Sequence, residues 1–217
     1  MDGPELQALR DEMVRYQIAA RGVRSPQVLQ AMRQLPREAF VDAALRHLAY
    51  EDNPLPIGEQ QTLSQPYVVA LMTEALHLRD SDRVLEIGTG SGYAAAVLGR
   101  IARQVFSIER VQALADSAAA RLRDLGCDNV QVRQGDGTLG WAEQAPFDAI
   151  MVSAGGPCVP PSLKSQLALG GRLVMPMGRD EFQELLVLTR VAESQFKTRS
   201  LGGVRFVRLI GEQGWKP

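Results

Sequence analysis

Residues 83–93 read Arg83-Val84-Leu85-Glu86-Ile87-Gly88-Thr89-Gly90-Ser91-Gly92-Tyr93, an apolar strand that runs through Glu86 into a Gly-x-Gly-x-Gly turn. Glycines at this spacing let the backbone bend sharply and approach a ligand closely where side chains would block it. A dinucleotide fingerprint needs glycine in the sixth place of its motif, where Tyr93 stands, and an acid ahead of the first glycine would repel a pyrophosphate. The loop therefore suits a cationic, phosphate-free adenosine ligand such as S-adenosylmethionine (SAM).

The next apolar run downstream, Gln104 to Ile108, ends in Glu109, about one strand–helix–strand unit beyond the loop. A carboxylate at that strand end can accept both ribose hydroxyls of a nucleoside. The plainer alternative is a tight strand–helix connection at Gly88, Gly90 and Gly92, with both glutamates as solvated strand ends.

Further outward, strands alternate with helices. The pattern predicts helices over 94–101, 111–125 and 163–169, and strands at 130–132 and 147–152. Gly170-Gly171 is expected to stop the last helix before a strand from Arg172 to Pro176. Alternation of this kind implies a doubly wound, mainly parallel α/β sheet. The tail departs from it: Leu185–Thr189 and Val204–Ile210 both read as strands and are expected to pair antiparallel at the sheet edge. Upstream, Leu6, Leu9, Met13 and Ile18 mark a helical stripe, and Ser25-Pro26 and Pro36 open further turns, giving a helical cap over residues 1–65. Pro54 to Gly58 must run extended, because each proline excludes helix at itself and restrains its predecessor. The whole chain, residues 1–217, is expected to be one domain.

Composition narrows the function. A formal net charge of −1 over 217 residues gives no electrostatic reason to expect nucleic acid as partner. No apolar stretch is long enough to span a bilayer, and the acidic start Met1-Asp2-Gly3-Pro4-Glu5 lacks the features of a signal peptide, so no membrane role and a cytoplasmic home are expected. Cys127 and Cys158 are expected as reduced thiols, and His47 and His77, read as helix residues, are too isolated in sequence to suggest a metal centre.

The stretch Pro56-Ile57-Gly58-Glu59-Gln60-Gln61-Thr62-Leu63-Ser64-Gln65-Pro66-Tyr67, followed by the glycine loop, resembles the protein-L-isoaspartate O-methyltransferase family. The likeness extends from Pro36-Arg37-Glu38-Ala39-Phe40-Val41 through Gly135-Asp136-Gly137 and Pro146-Phe147-Asp148-Ala149-Ile150 to Gly170–Gly178 and Val204-Arg205-Phe206-Val207, nearly the whole chain. It implies a class I methyltransferase fold and transfer of the SAM methyl group to the α-carboxylate of L-isoaspartyl residues in damaged proteins or peptides. The ester then collapses to a succinimide, which begins repair. It also implies that Ser64 is the functional serine and that Glu86, Gly88, Gly90, Gly92, Glu109, Asp136 and Gly137 contact SAM, with Thr62 and Leu63 lining the same pocket. Arg208 stands where the family usually has proline, and Ser153-Ala154-Gly155-Gly156 replaces a more usual Thr-Ala-Ala-Pro-like run.

The chemistry implied needs no catalytic triad. An α-carboxylate is ionised at neutral pH and is already a nucleophile, so the enzyme's work is alignment and exclusion of water. Ser64 fits as a hydrogen-bond donor to that carboxylate, or equally, on local grounds, as a cap for the helix that Pro66 begins. If Pro66 is the first helical residue, the cap position falls on Gln65 instead. Asp136 reads as an adenine contact or as the first residue of an Asp-Gly turn. Trp141 reads either as a neighbour of the adenine or as a cover for the core. Two other classes remain open: a methyltransferase for a different acid, and a SAM-binding module without transfer.

Overall fold

The computed structural model describes residues 3–179 and 182–216. Seven strands form one sheet: β3 (Arg83–Ile87), β4 (Gln104–Glu109), β5 (Val130–Gln134), β6 (Phe147–Val152), β7 (Leu167–Arg179), β8 (Phe182–Ala192) and β9 (Gln195–Val204). A two-stranded hairpin, β1 (Leu55–Pro56) with β2 (Thr62–Leu63), precedes them. The order in the large sheet is β5-β4-β3-β6-β7-β8-β9, parallel from β5 through β7 and antiparallel thereafter. The chain runs outward from β3 to β5 and then returns to the other side of β3, so the strand order reverses between β3 and β6. Open α/β sheets bind ligands at such a point, outside the carboxyl ends of the strands.

Alternation within the strands explains the two apolar layers. Val84, Val105, Ala149, Met151, Val174 and Val187 join a core shared with the N-terminal helices, whereas Leu85, Ile87, Phe106, Ile150, Val152 and Leu173 join a second core that includes Leu163. The first core takes in α1 (Gly3–Glu12), α2 (Pro26–Gln34), α3 (Pro66–Ala75), α4 (Tyr93–Gly99) and α5 (Gln112–Asp124). The second is covered by α6 (Pro161–Gln166). Ser25 caps α2 by accepting from the Val28 amide, with Pro26 in the first turn, as the Ser-Pro signal predicts.

Several boundaries differ from those read off the sequence. The helix expected to continue to Leu169 ends at Gln166, and Leu167–Leu169 already belong to β7. Gly170, at φ +78°, sits inside that strand, where the register with β6 jumps from Phe147↔Leu167 to Ala149↔Arg172. The glycine pair thus makes a bulge in a strand rather than a helix stop. The last strand is Gln195–Val204, the polar segment read as a connection. Residues 205–210 carry only isolated bridges, because their backbone groups pair with side chains and with single residues elsewhere. His77 lies in a turn at φ +47°, and His47 in a 3₁₀ turn, rather than in α-helix. Cys127 and Cys158 are free thiols. Among the described residues no helix is long and apolar enough to cross a membrane.

Candidate active site

A cavity of about 330 Å³ opens at the carboxyl ends of β3, β4 and β6. Gly88, Gly90 and Gly137, together with Thr62, Leu63, Ser64 and Glu109, line it. Seven residues expected from sequence are thus brought together. The glycine loop turns at Gly88 (φ +90°), Gly90 (φ +53°) and Gly92 (φ +92°), the left-handed conformations that make glycine necessary. Gly137 is required for another reason: a Cβ there would sit 2.3 Å from Cγ2 of Ile87.

Glu109 holds the loop. One carboxylate oxygen accepts from the Gly90 amide at 2.8 Å and the other from the Val111 amide at 3.0 Å. Each oxygen has a further acceptor site, so the carboxylate can brace the loop and still receive a ligand hydroxyl. Among the described residues it is the single carboxylate on the cavity lining.

Glu86 lies behind the lining rather than on it. It is fully buried, accepts from the Ser107 hydroxyl through Oε2, and has no partner for Oε1 among the described residues. Ser107 in turn lies 2.6 Å from the Thr89 hydroxyl, so this carboxyl group anchors the loop from beneath. Burial pushes its pKa up to about 8, against the Ser107 hydrogen bond and with help from the nearby Glu109. It is therefore mainly neutral at pH 7, and the negative charge that meets a ligand is that of Glu109.

Asp136 is also off the lining. Its Oδ1 accepts from the Thr138 amide (2.8 Å) and hydroxyl (2.6 Å), and its Oδ2 from the Glu212 amide at 2.7 Å. Burial alone would raise its pKa, but these hydrogen bonds prevail and hold it below the ordinary aspartate value. Asp136 thus ties the loop after β5 to the chain beyond Ile210. Gly92 caps α4 and packs on Ala118 and Leu122, away from the lining. Trp141 packs edge-on to Phe106 in the second core, with centroids 5.6 Å apart, and is not among the lining residues.

Ser64 follows β2 and stands just before α3. The cap position of α3 belongs to Gln65, whose side chain makes no capping bond and donates instead to the Asp52 carbonyl at 2.9 Å. The Ser64 hydroxyl makes no hydrogen bond among the described residues, so it is not spent on the helix. The β1–β2 hairpin presses on the glycine loop: a Cβ on Gly90 would lie 3.2 Å from Cδ1 of Ile57.

Sequence reasoning missed Ser153 and Val111 as binding residues and, in the segment Val207–Ile210, pointed only to the departure at Arg208 as a cation for the substrate; all of these line the cavity. Ser153 follows the end of β6, and its amide donates to the Ile87 carbonyl at 2.8 Å; the rule that ligands sit at strand ends points to it. Val207–Ile210 carries no comparable local signal. Its place is set by distant clamps. Gly155 donates to the Val207 carbonyl at 2.7 Å and accepts from the Leu209 amide at 2.8 Å. Buried Gln183 holds both backbone groups of Phe206, and the Trp215 indole donates to the Gly155 carbonyl at 3.0 Å. The Arg208 guanidinium lies 5.7 Å from the Trp215 ring centroid.

Comparison with known proteins agrees with this geometry. A model of the family "Protein-L-isoaspartate(D-aspartate) O-methyltransferase" matches residues 8–214. Protein-L-isoaspartate O-methyltransferase 1 of Rhodopseudomonas palustris strain HaA2 is 60% identical over 99% of this chain and 88% of its own length. The protein-L-isoaspartate O-methyltransferase of Rhodopseudomonas palustris strain CGA009 is 62% identical over 94% of each chain. A solved protein-L-isoaspartate O-methyltransferase superposes with a TM-score of 0.86 at 31% identity, covering 94% of this chain and 67% of the other. A Plasmodium falciparum protein solved in complex with S-adenosyl-L-homocysteine shares the fold, with a TM-score of 0.77 at 24% identity over 91% of this chain and 96% of the other.

Proposed function

Since the chain belongs to the protein-L-isoaspartate(D-aspartate) O-methyltransferase family, we propose that its cavity seats SAM against the strand ends and an isoaspartyl carboxylate against Ser64. The protein is a SAM-dependent methyltransferase that esterifies the α-carboxylate of L-isoaspartyl residues in damaged proteins or peptides, initiating repair through a succinimide.

The residues present fit the cofactor. Glu109 has acceptor capacity left for ribose hydroxyls after bracing Gly90 and Val111, and Gly88, Gly90 and Gly137 keep the lining free of side chains where an adenosine must lie close to backbone. When bound, SAM supplies a methyl group already activated on a sulfonium, which leaves as a neutral thioether. The chain's own task is to place an ionised carboxylate in line with that methyl group and keep water away. Alignment of this kind lowers a barrier by about 7–11 kcal/mol. Ser64 donates its hydroxyl proton in a hydrogen bond to one carboxylate oxygen and leaves the other to react. Gly92, Glu86 and Asp136 act from outside the lining, the first by shaping the loop and the other two by holding what lines it. Thr62 and Leu63 carry Ser64 into position.

The observation that carries this reading is the unspent Ser64 hydroxyl on the same cavity as Glu109 and the glycine loop. Arg208, at the same cavity and leaning on Trp215, supplies a cation on the substrate side. One apolar core joins the N-terminal helices to the sheet, which supports residues 1–217 as a single domain. The free thiols Cys127 and Cys158 support a reducing, cytoplasmic setting.

The test is a matched peptide pair, L-isoaspartyl against normal L-aspartyl at one residue, incubated with SAM and followed by mass spectrometry. Methyl ester confined to the isoaspartyl peptide is the expected result. Ester on neither peptide, with SAM bound, would transfer the protein to another substrate or to the non-catalytic class.

A further inference from the structure

Arg37 belongs to the Pro36–Val41 motif, none of whose residues lines the cavity. It stands in a 3₁₀ turn, Arg37–Phe40, and is the largest fully buried side chain among the described residues. No carboxylate forms an ion pair with it among those residues. Its guanidinium is committed to main chain instead: Nε donates to the Ala49 carbonyl at 2.7 Å and Nη2 to the Ser64 carbonyl at 2.9 Å. The guanidinium carbon also lies 4.9 Å from the Tyr93 ring centroid, and Tyr93 lines the cavity as the first residue of α4. Nη1 and the Tyr93 hydroxyl are both buried and make no hydrogen bond of normal geometry among the described residues.

Taking an unpaired cation out of water is costly, and an apolar side chain of similar length would fill the same space without that cost. Burial lowers the pKa of Arg37 to about 10, with Tyr93 acting in the opposite direction, so the group is still protonated at neutral pH. What the guanidinium supplies that an apolar group cannot is a planar fork able to reach two carbonyls from separate segments while stacking on a ring. One of those carbonyls belongs to the serine whose hydroxyl is unspent, and the ring belongs to the helix that the glycine loop begins.

We infer that Arg37 is a positioning residue for methyl transfer: it fixes the Ser64 main chain and the Tyr93 ring in one geometry, so that the hydroxyl meets the substrate carboxylate in register with the cofactor loop. The inference rests on the reading of Ser64 given above. It acts through Ser64 and touches neither substrate nor cofactor. Small misplacements of aligned groups cost rate far more than affinity, so the effect falls on kcat.

Arg37→Lys and Arg37→Met are to be compared with wild type by three readouts: SAM affinity, kcat and KM on the isoaspartyl peptide, and amide hydrogen exchange across residues 61–68. In Arg37→Lys, which keeps the charge but loses the fork, exchange in that segment should rise about tenfold and kcat fall about tenfold, with SAM affinity within about twofold of wild type. Arg37→Met should show the same pattern, enlarged. Should Arg37→Met fail to fold, Arg37→Lys decides alone. Unchanged exchange, or faster exchange with unchanged kcat, overturns the inference, the second outcome because it reduces Arg37 to a structural support. If wild type methylates neither peptide, the proposed function fails instead, and the exchange measurement still decides whether Arg37 holds Ser64.

Discussion

On the reading proposed above, the cofactor wall of the cavity draws on the ends of β3, β4 and β6, neighbours in one parallel sheet, whereas the substrate wall joins Ser64, just past the β1–β2 hairpin, to the irregular segment Val207–Ile210. In the first wall, position follows from the ladder: Gly88, Glu109 and Ser153 lie where their strands stop, and the sheet registers Glu86 with Ser107 and Ile87 with Val152. In the second, the only ladder among the described residues is the two-pair β1–β2 hairpin, and polar side chains do the rest of its work. Arg37 holds the Ser64 carbonyl, Gln183 the Phe206 backbone, and Asp136 the Glu212 amide. A general fold therefore supplies the part of the site that takes a common ligand. The part that must discriminate among substrates is assembled from scattered segments, each fixed by a few hydrogen bonds.

That contrast breaks most visibly at Glu109. Glu109→Ala removes the brace on Gly90 and Val111 together with the hydroxyl acceptor, and SAM binding should weaken about 100-fold by calorimetry. A loss below about fivefold would mean that the strand ends hold the loop without it. Ser64→Ala probes the other wall. There kcat on the isoaspartyl peptide should fall about tenfold while SAM affinity is unchanged, since a hydrogen bond to a charged group is lost only where substrate sits. Equal damage to SAM binding would erase the distinction between the walls. Arg208→Ala should be milder, raising the peptide KM about threefold with SAM affinity intact, as befits an exposed charge.

The smallest effect sharpens the cofactor wall's foundations. Because burial raises the Glu86 pKa to about 8, the folded state keeps a proton that the unfolded chain releases above its ordinary value of 4.5. Its contribution is fully present below that lower value and is lost as pH rises through about 8. Glu86→Gln should remove this slope, giving a thermal midpoint closer to or above wild type at pH 8 and little gain at pH 5. A midpoint difference independent of pH would show that Glu86 is ionised in the fold.

Legibility follows the same division. The parallel core could be read because apolar runs and glycine turns are local, and both the sheet and the strand-end acids emerge from them. The resemblance located Ser64, and the structure rules out its alternative use as a helix cap because Gln65 occupies that position. Misread elements share one cause. Gly170-Gly171 signals a break in any element, and only the register with β6 makes it a strand bulge. Apolar content points to segment 204–210 as the tail strand, yet the edge strand is the polar Gln195–Val204, because an edge strand needs little apolar sequence. At Asp136 the turn reading holds, since its side chain accepts from Thr138 two residues on, but its second tie, to Glu212, is one that no local pattern reveals.

The clamp at Asp136 has a consequence for the order in which the molecule comes apart. Its bond to the Glu212 amide closes a span of 76 residues, and the bond from the Ser162 amide to Gln213 a span of 51. The pairing of β3 with β6 closes a span of similar length, from Val84 to Ala149, but a ladder of bonds repays it, whereas each clamp is repaid by a few bonds and is the more readily opened. The sheet, and with it the glycine loop, can therefore be in place while the Arg208 segment is unfastened. Local opening of this kind leaves a molecule that grips adenosine but cannot choose a peptide, so substrate selectivity is the first property this protein loses.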